Sequence, residues 1–100
     1  MAIIFTQSAY RHFAEDNLDE ESVRQSMTRP IWFALVDPED TSVPPKKTGK
    51  PSALIICLRH LGALEDDLIE LLARPDGRHM MVYHVEHLTD KWRNYWQKWK

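Results

Sequence analysis

Glycine and cysteine are scarce in this chain: three glycines and one cysteine in 100 residues. The glycines are isolated, so they cannot build the Gly-rich loop that cradles a nucleotide phosphate. A lone cysteine closes no disulfide within the chain, which argues against a disulfide-stapled secreted scaffold. Cys57 lies in the apolar run Ala53–Leu58 with no sequence neighbour to lower a thiol pKa, so it reads as a small buried hydrophobe. The Cys-x-x-Cys and His-Glu-x-x-His patterns of metal sites are missing. No apolar run approaches the roughly 18 residues of a membrane span. Met1–Phe5 has neither the positive flank nor the long apolar stretch of a signal peptide. The expected location is therefore the cytoplasm. A basic excess is missing too: 13 Lys and Arg against 15 Asp and Glu leave a net charge of -2. That balance weighs against general nucleic-acid affinity.

What the chain does have is enough apolar material for one small core, 43% of its residues. Its length fits a single domain over residues 1–100. Ala2–Phe5 reads as a short strand. Thr6 is placed to cap a helix to about Ala14, and Asp19 to cap a second through Met27 with Glu20 and Glu21 in its first turn. Leu18 and Val23 have the spacing of a hydrophobic staple. Pro30 stops this helix, and Ile31–Val36 reads as a strand. Residues 37–52 carry Pro38, Pro44, Pro45, Gly49 and Pro51 with Lys46, Lys47 and Lys50, and form a Pro/Lys-rich loop.

Ala53–Leu61 opens with the continuous apolar run of a strand covered on both faces. Leu64–Ala73 carries both helical spacing and strand-compatible residues. The turn signal Arg74-Pro-Asp-Gly77 before Met80–Val85 favours a hairpin of about Leu68–Ala73 with His79–Glu86. Thr89 is placed to cap a last helix to about Trp99, and Trp92, Tyr95, Trp96 and Trp99 fall on one face of it. Together these elements predict an α+β domain: a small antiparallel sheet of about four strands, N-terminal helices and a C-terminal amphipathic helix.

Four of the five histidines, His60, His79, His84 and His87, lie in the second half of the chain. On a strand, His84 and Glu86 share a face and His79 points the other way. A metal site there needs a third ligand from elsewhere, and none is expected. Histidine also titrates near neutral pH, where acid/base chemistry operates. If the Ala53–Leu61 strand pairs with the hairpin, Arg59 or His60 and His84 or His87 can converge. A metal-free ribonuclease needs that pairing of a proton-transfer group with a phosphate-binding cation.

Two stretches carry a family resemblance. Ile3-Ile-Phe-Thr-Gln-Ser-Ala-Tyr-Arg-His12 followed by Leu18-Asp-Glu-Glu-Ser-Val23 resembles the opening of BrnT-like and related RelE-superfamily toxins of bacterial toxin–antitoxin systems. Leu68–Trp96 is similar to their last hairpin and tail. The resemblance implies a small antiparallel sheet with helices on one face, an mRNA-cleaving endoribonuclease activity and a neutralising antitoxin. It carries over Arg11 and His12 from the first stretch, and His84, His87, Lys91 and Arg93 from the second. The expected catalytic set is Arg59, His84, His87 and Arg93. The expected RNA-binding set is Arg11, His12, Lys46, Lys47, Lys50 and Lys91. The alternative is a non-catalytic interaction protein, such as an inhibitor, immunity or phage-type regulatory protein. It would bind a protein partner, or a second copy as a homodimer, through Trp92, Tyr95, Trp96 and Trp99.

Overall fold

The structure is a computed structural model that describes residues 2–36, 52–60, 62–64 and 67–100. The Pro/Lys-rich loop, with Lys46, Lys47 and Lys50, lies outside the described residues. The elements run β1 (Ala2–Phe5), α1 (Gln7–Glu15), α2 (Glu20–Ser26), β2 (Pro30–Val36), β3 (Ser52–Leu58), β4 (Leu68–Asp76), β5 (His79–His87) and α3 (Asp90–Trp99). The class is α+β, as the sequence predicts.

The sheet differs from the expectation in two ways. It has five strands, in the order β1-β5-β4-β3-β2, and it is mixed. β2 through β5 are antiparallel neighbours, while β1 pairs parallel with β5 from Ala2↔His79 to Phe5↔Val82. The short run Ala2–Phe5 thus joins the far edge of the sheet. Beyond Phe5 the chain leaves the ladder after the Thr6 N–H donates to the Val82 carbonyl at 2.9 Å, and α1 continues alongside β5.

Local chemistry sets the first two helices. The Thr6 hydroxyl accepts from the Ala9 N–H at 3.3 Å, and Asp19 accepts from the Ser22 N–H at 2.8 Å, so each caps orphan amides of a helix start. The hairpin closes on a two-residue loop between the paired Asp76 and His79, with Gly77 at a positive φ of 61°. Among the described residues β3 pairs with β4 only as far as Ala53↔Ala73, so Pro75 falls beyond that recorded ladder.

Helices cover both faces of the sheet rather than one. On one side Ala9, Phe13 and Val23 of α1 and α2 pack on Ile55, Cys57, Ile69, Leu71, Val82 and Val85. On the other, Trp92, Tyr95 and Trp96 of α3 pack on Leu54, Ile56, Leu68 and Leu72. β3 is the doubly covered strand the apolar run predicts: Ser52 through Cys57 are all buried.

Candidate functional site

A register irregularity in β5 positions the most unusual polar group in the molecule. Leu72 pairs with His84 and Ala73 with Val82, so Tyr83 is the extra residue of a bulge. Val82 and Val85, an odd number apart, therefore both face α1 and α2. His84 is in register with Leu72 and faces the α3 side. The bulge also overturns the expectation for His79. Met80 and Val82 share the α1/α2 side, which leaves His79 on the face of His84.

His84 Nε2 stands 2.7 Å from Glu70 Oε2 and 3.3 Å from Glu86 Oε2. Glu70 and Glu86 are directly opposite in the β4–β5 ladder. Glu70 is 1% exposed, and its Oε1 accepts the Thr89 N–H at 2.7 Å and the Thr89 hydroxyl at 2.6 Å. Thr89 thus sits at the N-cap of α3 but donates its hydroxyl to Glu70 instead of capping a helix amide, contrary to the sequence expectation. The His12 ring packs edge-on against His84 with centroids 4.6 Å apart, and its buried Nδ1 has no hydrogen-bond partner. Glu70 was missed by the sequence reading, although a signal was present: one glutamate inside the apolar strand Leu68-Ile-Glu-Leu-Leu-Ala73 is a charge that must be paired.

The four expected catalytic residues do not converge. His87 is in register with Ile69, on the face opposite to His84, and its N–H and ring are held by the side chain and carbonyl of Asp16 at 2.9 and 3.2 Å. Arg59 lies past the end of β3, and its Nη2 donates to Asp67 at 2.9 Å. His60 joins the same carboxylate at 2.7 Å. That pairing holds the Asp67 carboxyl below its usual range, through the Arg59 hydrogen bond first and His60 second. Arg93 is half-buried on α3, and Lys91 places its ammonium 4.6 Å over the Trp92 ring. Of the expected RNA-binding residues that are described, Arg11 is exposed on α1 and His12 belongs to the His84 cluster.

The aromatic face of α3 is core. Trp92, Tyr95 and Trp96 are 3%, 9% and 6% exposed, and Trp99 alone of the four is open, at 46%. The partner-binding role expected for that face therefore fails for three of its residues: the sheet occupies them.

The uncovered apolar surface lies elsewhere. β2 is an edge strand whose Trp32 and Ala34 pack toward α3. Its alternate residues Phe33 and Leu35 are 57% and 62% exposed, on the face where α1 and α2 pack over β5, β4 and part of β3; Ile31, at the register shift between Pro30 and Trp32, is 42% exposed. Phe33 and Leu35 form one wall of a groove of about 440 Å³, with Ala53, Ala73, Met80 and Arg78 among its other lining residues. Pro30–Val36 contains no charged residue.

No family model, no curated protein and no solved structure matches this chain. Among the described residues no helix is long and apolar enough to cross a membrane.

Proposed function

We propose that this chain is a small cytoplasmic interaction protein that captures an extended segment of a partner protein along β2. The observation that carries the reading is the pair Phe33 and Leu35, open on one face of an uncharged edge strand. Edge strands offer unpaired N–H and C=O groups, and proteins normally blunt them with charges or cover them. An apolar strip left open there is what a binding surface requires. Strand addition would supply backbone hydrogen bonds, while alternate side chains of the partner would seat against Phe33 and Leu35 and in the adjoining groove.

The RelE/BrnT-like reading is proposed with it, and the partner is then of the antitoxin kind. Its support is the order of elements: a strand, a helix carrying Arg11-His12, a second helix capped by Asp19, then a hairpin turning at Asp76-Gly77 and a terminal helix. The test is co-expression with the product of an adjacent short reading frame. The wild-type chain should co-purify with it in stoichiometric amount, Phe33→Asp and Leu35→Asp should abolish this, and Trp99→Ala should not. Retention by both β2 variants with loss in Trp99→Ala would return the partner surface to α3.

A second reading, the metal-independent endoribonuclease, is favoured by one contact. His12 and His84 are in ring contact, and Glu70 holds His84 as an orienting carboxylate holds a general base. In this reading the acid/base pair is His12 and His84 rather than His84 and His87. Expression of the chain alone should then arrest bacterial growth, with relief by His84→Ala and by His12→Ala and no relief by His87→Ala. Growth of all four strains at the same rate rejects it.

A further inference from the structure

We infer that Glu70, His84 and Glu86 form a binding site for a divalent transition-metal ion, of which Zn²⁺ is the representative. Each offers one donor atom, and the three atoms all lie within 4.8 Å of one another. Zinc bonds of about 2.0–2.1 Å in a tetrahedron put ligand atoms about 3.3 Å apart. The His84–Glu86 separation is 3.3 Å, that of a tetrahedral edge, and the His84–Glu70 separation is 2.7 Å, so binding the ion requires Glu70 to draw back from His84.

The electrostatics favour a cation. Glu70 and Glu86 are cross-strand partners, an arrangement of like charges that destabilises a ladder, and Glu70 is 1% exposed. The single imidazole between them carries at most one positive charge; a divalent ion balances both carboxylates. The surroundings are also those of a ligand set. Glu70 Oε1 is fixed by the N–H and hydroxyl of Thr89, which leaves Oε2 for the ion and orients it, as outer-shell donors do around metal carboxylates. The His12 ring lies against His84; its buried Nδ1 makes no hydrogen bond and has the Glu15 carboxylate 4.0 Å away. Three protein ligands with a fourth position beside a polar ring match zinc sites that keep an open coordination position. The mixed nitrogen and oxygen donors suit zinc and its first-row neighbours rather than calcium or magnesium.

The site does not depend on partner binding at β2 and is tested on the full chain alone. Zn²⁺ is titrated against a chromophoric chelator, and Co²⁺ is added separately to read the visible absorption of a four-coordinate site. The expected result is one equivalent of Zn²⁺ and a four-coordinate Co²⁺ spectrum for the wild type. His84→Ala should abolish both. Glu86→Gln, at a half-exposed position that leaves the core intact, should weaken Zn²⁺ binding by about tenfold or more. Thr89→Val, which removes the hydroxyl on Glu70 without touching the ion, should weaken it by about 10–100-fold. His60→Ala, at the separate Arg59–Asp67 pair, should bind as the wild type does. Failure of the wild type to bind Zn²⁺, or wild-type affinity in folded Glu86→Gln, overturns the inference.

Discussion

Glu70, buried in the middle of β4, accepts both hydrogen bonds that Thr89 can donate, so one carboxylate fixes the point where α3 leaves the sheet. The same carboxylate accepts from His84. Removing it leaves a part-buried N–H and hydroxyl of Thr89 without their acceptor and leaves the His84 imidazole with Glu86 alone. Glu70→Ala should therefore lower the unfolding free energy by about 3 kcal/mol. Thr89→Val, which deletes the hydroxyl but keeps the N–H bond, should cost about 1 kcal/mol. Urea denaturation followed by tryptophan fluorescence measures both. An equal cost for the two variants would mean that the backbone N–H bond and His84 contribute nothing.

Asp67 gives the molecule a defined acid limb. Arg59 and His60 converge on it and hold its carboxyl below the usual range in the folded state. A depressed folded pKa contributes stability that is fully present above the unfolded value of about 3.9 and is lost as pH falls through the folded one. The wild type should therefore lose stability below about pH 4 partly through this residue. Asp67→Asn should flatten that segment of the stability–pH curve, measured by denaturant midpoints. The effect is small, because the pair is exposed to solvent.

Much of the fold is legible in the residues themselves. The apolar run Ala53–Leu58 announces a covered strand, Asp76-Gly77 announces the hairpin, and Thr6 and Asp19 announce two helix starts. The site is less legible, for a geometric reason. Alternation along His79–His87 sorts side chains onto two faces only if the ladder is regular, and the extra residue Tyr83 inverts the parity halfway along. His84 and Glu86 lie on one side of the bulge, so their shared face is read correctly; His79 lies on the other side and is not. The convergence of Arg59 with His84 fails because strand β3 ends at Leu58 and Asp67 captures the guanidinium. Sequence spacing also cannot tell an aromatic stripe that meets the sheet from one that meets a partner. The burial of Trp92, Tyr95 and Trp96 against the sheet decides that for three of the four residues.

Cys57 reports on opening of the sheet. It is fully buried on the α1/α2 side of β3, and burial pushes its thiol pKa up to about 12. At pH 8 the folded protein presents neither an accessible sulfur nor a thiolate. A thiol-specific chromogenic disulfide should therefore react only after unfolding, at a rate that rises with urea in step with the fluorescence transition. Fast reaction in native buffer would place Cys57 in a region that opens locally.

Trp96, Trp99 and Phe33 separate core from binding surface in one experiment. Trp96 is 6% exposed and packs against Ile56 and Leu68, with Trp32, Leu58 and Leu88 around them. Trp96→Ala should cost about 3–5 kcal/mol, because it empties the space the buried indole fills between α3 and the sheet. For a domain near 100 residues each kcal/mol is worth about 4–8 °C in Tm, so the variant should melt at least about 12 °C lower. Trp99, three residues on, is 46% exposed, and Trp99→Ala should cost far less, about 0.5 kcal/mol. Phe33 is 57% exposed although it lies on a strand, so Phe33→Asp should also leave stability nearly unchanged. The β2 reading then makes a sharper demand: Phe33→Asp must lose the partner while keeping the wild-type melting curve, and Trp96→Ala must lose stability whether or not a partner is present. A Phe33→Asp variant that melts several degrees lower would show the strip to be covered within the molecule and would remove it as a docking surface.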